Sequence, residues 1–259
     1  MSNLEVFNNY VKSGYNLNDP SISLKLDHSI RVADAALKLG KHEGLNEKLC
    51  YDIGLLHDFA RFEQWKRFAS FKDFLTIDHG DLGVELLFEQ NYIELFDVDK
   101  KDYEVIKFSV KNHNKKEINF AEIDKFYEDN DYYLSKEEFI TYCNISRDSD
   151  KIDLFYRIGE GNLKMGYTLC GYTEDCLREV LNHTQVDVTK TATILDRLFV
   201  FIGFLYDINF KYTFELVDLD KYFYAITNIY GASLNEEDKK TLNFVIEDFK
   251  KYYKNMGGK

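Results

Sequence analysis

Apolar residues recur along most of this chain at i, i+3, i+4 and i+7, the spacing of one helical face. Few stretches alternate with period two, so the chain reads as all-α. Proline, the strongest helix breaker, occurs once, at Pro20, where the surrounding polar stretch closes an N-terminal segment. Asp27 is expected to cap a helix running to about Glu43, with Gly44 as its stop. A helix over about Glu47–Phe59 puts Cys50, Ile53 and His57 on one side. The aromatic-rich stretch from Arg61 to Thr76 reads as a lid or loop with a short helix. Helices from Asp78 to about Gln90 and from Tyr103 to His113 follow. Ser135, with Glu138 three residues on as a capping box, opens a long helix to about Arg157. The pattern weakens from Gly159 to Val188, where Gly159, Gly161, Gly166 and Gly171 mark turns. Thr189–Ile208 is a strongly apolar helix, and Ser233 with Glu236 opens a last amphipathic one. No repeat, low-complexity tract or flexible linker interrupts the chain, which favours a single domain over 1–259.

Composition narrows the function classes. With 45% apolar and 30% charged residues, including 21 Phe and 19 Tyr, the 259-residue chain has ample surface to bury. Its net charge of −12 argues against extended nucleic-acid or membrane-surface binding, both of which reward a basic face. Leu198–Tyr206, the longest apolar run, is too short to span a bilayer. Cys50, Cys143, Cys170 and Cys176 are scattered and form no CxxC pair, which suits a reduced, cytoplasmic compartment. The N-terminus shows no secretory signal pattern.

The candidate chemistry lies in the histidines. A single His on an apolar face is ordinarily a hydrogen-bonded core residue, and one His-Asp dipeptide arises readily by chance. Here, however, His28, His57, His79 and His113 each fall near the end of a different expected helix, beside stripe positions. Asp58 follows His57, and Asp150 lies on the stripe Phe139, Cys143, Ser146, Asp150. Four imidazoles and two carboxylates converging in a bundle suit one or two borderline divalent metals. His42, in a polar helix end, and His183, in the turn-rich LNHTQ, fall outside the pattern. Lys111 and Lys116 read as solvated surface charges.

The order of these residues resembles the HD-domain metalloprotein superfamily, in its bimetallic H…HD…H…H…D subset. The resemblance is carried by DHSIRVADAALKLG around His28, DIGLLHDFARFEQW around His57-Asp58, DHGDLGVELLFE around His79, VKNHNKKEI around His113 and RDSDKIDLF around Asp150. It implies an HD-type helical bundle with a core of about 24–158 and additional C-terminal helices over about 159–259. It also implies two divalent transition metals, of iron, manganese, cobalt, nickel or zinc. His28, His57, Asp58 and Asp150 would hold the first, and Asp58 would bridge to a second held by His79 and His113. Asp148 is a rival to Asp150, which is preferred because Asp-Lys-Ile-Asp matches the family segment. The implied activity is hydrolysis of a small phosphorylated substrate, a phosphomonoester or phosphodiester such as a nucleotide, by a metal-bridged water or hydroxide. Asp58 and Arg61 are the expected catalytic residues, and Arg61, Lys115 and Arg147 the expected phosphate contacts. The alternative within the same ligand set is a mixed-valent di-iron oxygenase.

Overall fold

The computed structural model describes residues 1–256, and every regular element among them is helical. The chain falls into two compact units that meet between Asp153 and Leu154, a few residues from the expected end of the core.

In the first unit, α1 (Asn3–Gly14) starts in a capping box between Ser2 and Glu5. The next helix, α2 (Pro20–His42), begins earlier than expected. Pro20 does not close a segment: it occupies the first helical turn, where its missing N–H costs nothing. Asp19 supplies the cap by accepting from the Ser21 amide at 2.8 Å. Asp27 is an exposed mid-helix residue, so the expected start is corrected by two turns. α3 (Glu47–Leu56) ends three residues early in a tight turn, His57–Ala60, which leads into α4 (Arg61–Phe68). α5 (His79–Val84) is capped by Asp78, whose carboxylate accepts from the Gly80 and Asp81 amides, and it widens into a π-helical turn to Glu89. α6 (Tyr103–Asn112) matches its expected span, whereas α7 (Phe120–Asp129) had no predicted counterpart. α8 (Lys136–Gly159) opens with the expected exchange between Ser135 and Glu138.

Two glycines set how closely these helices approach. A Cβ on Gly54 would lie 2.8 Å from Ala36 Cβ and 2.9 Å from the Val32 carbonyl, so α3 rests directly on α2. A Cβ on Gly80 would lie 2.8 Å from Asn114 Oδ1 and 2.9 Å from the Lys111 carbonyl, so α5 rests on α6. Fully buried Val32, Ala36, Ile53, Phe59, Phe62 and Val110 fill the space around these contacts. Each such aliphatic or aromatic side chain contributes roughly 1.5–3 kcal/mol relative to exposure.

The second unit contains α9 (Glu174–Leu181), α10 (Ile194–Leu205), α11 (Lys211–Glu215), α12 (Leu219–Tyr224) with a π-helical turn to Tyr230, and α13 (Glu236–Asn255). The apolar helix expected from Thr189 starts only at Ile194, because Thr193 and Asp196 form a capping box. Likewise Asn235, not Ser233, caps α13. The core of this unit gathers Phe155, Leu198, Phe201, Tyr222, Ile226, Val245 and Phe249. No helix among the described residues is long and apolar enough to cross a membrane. His42 ends α2 exposed, and His183 pairs with Asp248 at 2.8 Å in the second unit.

Candidate metal centre

Three of the four histidines of the expected set stand where a helix begins or ends, and the fourth lies within one. His28 lies inside α2, His57 and Asp58 in the turn after α3, His79 at the first residue of α5, and His113 just past α6. Asp150 comes from α8. The structure brings all six together. His28 Nε2 lies 3.2 Å from His57 Nε2, 3.2 Å from Asp150 Oδ1 and 3.3 Å from Asp58 Oδ2. His57 Nε2 lies 3.6 Å from Asp58 Oδ2 and 3.8 Å from Asp150 Oδ1. On the other side of the same carboxylate, Asp58 Oδ1 lies 3.3 Å from His79 Nε2 and 3.5 Å from His113 Nε2, which are 2.9 Å apart. Of the two candidates in RDSDKID, Asp150 presents its carboxylate to His28 and His57.

The donor chemistry fits cations. All four Nδ1 atoms face an oxygen acceptor: Asp153 at 2.6 Å from His28, the Gly54 carbonyl at 2.7 Å from His57, Asp73 at 2.6 Å from His79, and the Val110 carbonyl at 2.7 Å from His113. A proton on each Nδ1 leaves four Nε2 lone pairs pointing at one another and at two carboxylates, an arrangement that repels itself unless positive charge lies between. Ligands about 2.1 Å from a metal on neighbouring octahedral corners stand about 3.0 Å apart, and tetrahedral ones about 3.4 Å. The separations above fall around those values. Two three-residue groups can each hold an ion: His28, His57 and Asp58, and Asp58, His79 and His113.

The ionisation of the bare side chains tells the same story. Burial and the Lys25 charge oppose a proton on His28, but the carboxylates of Asp150, Asp153 and Asp58 outweigh them and raise it to about 9. Burial pushes neighbouring His57 down to about 3. Burial opposes charge on Asp58 too, yet Lys25, His57 and Arg61 hold its carboxyl well below the usual range. The cluster therefore draws positive charge to His28, while burial disfavours a second proton on His57 and His113.

Several residues that sequence reasoning passed over support the centre. Lys25, one turn before His28 on α2, places its ammonium 2.6 Å from Asp58 Oδ2. Its spacing of three from His28 was the available signal. Asp153, one turn after Asp150, joins His28 to Arg31. Asp73 joins His79 to Arg61 and Gln64, at 3.0 and 2.9 Å, and nothing in its loop announced it.

The expected phosphate contacts fare differently. Arg61 is at the cluster, 3.3 Å from Asp58 Oδ1, but its Nη1 is held by Gln64, the Phe71 carbonyl and Asp73. Arg147 is buried, and its guanidinium donates to the carbonyls of Asn112, Lys115 and Lys116. Lys115 binds Asp78 at 2.6 Å and Asp81 at 3.3 Å. These contacts fasten the end of α6 to the start of α5 and to the segment that follows α6.

Residues 26–154 match the family model described as HD domain. No curated protein and no solved structure matches the chain.

Proposed function

Because the chain belongs to the HD-domain superfamily through residues 26–154, we propose that it is a metal-dependent phosphohydrolase acting on a small phosphomonoester or phosphodiester. The observation that carries this reading is Asp58, whose two oxygens address two separate histidine sets. Two divalent cations held there would supply Lewis acidity toward phosphoryl oxygens and an activated water. The residues of the chain do the rest. His28, His57 and Asp150 hold one side, and His79 and His113 the other. Asp153 and Asp73 keep the imidazoles in the right tautomer and orientation. Lys25 and Arg61 stand beside the bridging carboxylate, both against the Phe71 ring, at 5.6 and 5.7 Å. They orient a phosphoryl group arriving there and balance its charge. Asp150 is the most open of the six, at 35% exposure against 5% or less for the others, so substrate approaches from its side.

The test is metal content together with a panel of phosphorylated metabolites and cyclic nucleotides assayed with Mn²⁺, Fe²⁺, Co²⁺ and Ni²⁺. Two metals per chain and turnover that disappears in Asp58→Ala, with helicity retained, is the expected result. Metal-loaded protein that consumes oxygen and cleaves no phosphoester would replace hydrolysis with the di-iron oxygenase chemistry.

A further inference from the structure

In the second unit, Arg197 stands apart from the other well-placed arginines. Arg31, Arg61, Arg67 and Arg178 each meet a carboxylate, and Arg147 donates to the carbonyls of Asn112, Lys115 and Lys116. Arg197 is half-buried on the first turns of α10, yet among the described residues no carboxylate lies within ion-pair distance and no oxygen accepts from its side chain. Its guanidinium lies over the fully buried Phe201 ring, 4.9 Å from the centroid. The neighbouring carboxylate, Asp196, is not available to it. That group accepts from the amides of Thr173, Ala192 and Thr193 and from the Thr173 hydroxyl. Burial pulls the guanidinium below its ordinary value, and the ionisable groups acting on it are the phenols of Tyr167 and Tyr222.

A half-buried guanidinium without a protein acceptor keeps its five donors free for a ligand, and in a chain of net charge −12 a carboxylate partner would be easy to supply. A second arginine of the same unit shares the condition. Arg157 also has no carboxylate partner among the described residues, and its charge acts on Tyr230, whose ring packs 5.7 Å from Phe201. The tyrosine hydroxyls of that neighbourhood are already placed: Tyr222 donates to the Phe201 carbonyl, and Tyr230 accepts from the Leu163 amide.

We infer that Arg197 is the main anchor of a phosphate-class oxyanion site in the C-terminal unit, with Arg157 as the candidate second cation. A dianionic phosphate takes the guanidinium fork on two oxygens and leaves a third for a second cation. The site is separate from the histidine cluster in its residues and does not depend on the hydrolase reading.

The test is thermal unfolding of metal-loaded protein against inorganic phosphate, with chloride at matched ionic strength as control. Ligand that binds only the folded state raises the midpoint in proportion to ln(1 + [L]/Kd). Wild type and Asp58→Asn should both show this logarithmic rise, whereas Arg197→Gln should need at least tenfold more phosphate for the same shift while keeping its metal content. Should Arg197→Gln not fold, Arg197→Lys keeps the charge, loses the fork and should show a several-fold weaker response. Equal responses in wild type and the Arg197 variants would overturn the inference. So would no rise beyond the chloride control, or a rise abolished by Asp58→Asn, which would locate the phosphate at the histidine cluster.

Discussion

Lys25 Nζ lies 2.6 Å from Asp58 Oδ2, the same oxygen that faces His28 and His57. A lysine ammonium therefore competes with any cation for the shared carboxylate. Unit charges about 4 Å apart at an effective dielectric of 20 interact by about 4 kcal/mol, of which a flexible lysine can shed most by moving. Lys25→Met is expected to bind divalent metal roughly tenfold more tightly, about 1.4 kcal/mol, in competition with a chelator. The same variant should raise KM for a phosphoester. Unchanged metal affinity would mean that the ammonium swings clear of the carboxylate without cost.

The two carboxylates behind the histidines permit a separation of the two halves. Asp153→Asn weakens the orientation of His28, and Asp73→Asn that of His79. Outer partners of metal-binding histidines are typically worth 10–100-fold in affinity. Each variant should lose one metal per chain at limiting supply and retain the other, as read by elemental analysis. Loss of both metals in both variants would indicate a single cooperative site.

Gly80 carries a steric prediction. The methyl of Gly80→Ala would meet Asn114 Oδ1 and two α6 carbonyls at 3.0 Å or less. Backbone cannot yield as a flexible side chain does, so α5 must move away from α6, at a cost of about 1–3 kcal/mol. Because His79 and His113 sit on opposite sides of that contact, the variant should melt lower and bind the second metal more weakly. A variant with wild-type melting and metal content would show that the helices tolerate a wider spacing.

Asp52 gives a pH dependence. Burial raises its carboxyl above the ordinary 3.8, against the opposing pull of Asn3 and Lys48. A carboxyl raised on folding is harder to ionise in the folded state, so its contribution to stability is fully retained below pH 3.8 and declines as pH rises through the folded value. Asp52→Asn should therefore match wild type at about pH 3.5 and equal or exceed it at neutral pH in chemical denaturation. A variant clearly less stable at pH 7 would show that the Lys48 contact outweighs the burial cost.

The thiols offer a check on both units. Cys170 is exposed, while Cys50, Cys143 and Cys176 are buried and all four are free. Burial pushes the Cys50 and Cys143 thiols up to about 12, which suppresses the reactive thiolate. A colorimetric thiol reagent at pH 8 should label one thiol per chain quickly in native protein and four after denaturation. Rapid native labelling of two or more would contradict the packing around α3, α8 or α9.

Much of the architecture could be read before any coordinates, and the reason is local. Helical periodicity and the scarcity of proline dictate an all-α chain, because a 3.6-residue stripe can bury only one face. The long helix with its Ser135–Glu138 cap, the Asp78 start and the span of α6 followed from short-range rules. The misread boundaries have equally local causes: Asp27 offered a cap that Asp19 and Pro20 had already supplied, and Thr193 outcompeted Thr189. α7 escaped notice because of its apolar positions only Ile123 is fully buried. For the candidate centre, sequence order supplied the six side chains that meet. Tertiary structure alone decided that Asp58 divides its oxygens between two histidine sets, that Asp153, Asp73 and Lys25 stand behind them, and that Arg147 meets backbone carbonyls and Lys115 meets Asp78 and Asp81. Hydrophobic pattern is set by neighbours along the chain, but the partner of a charged group is whichever opposite group the packing of glycine-spaced helices brings within about 3 Å.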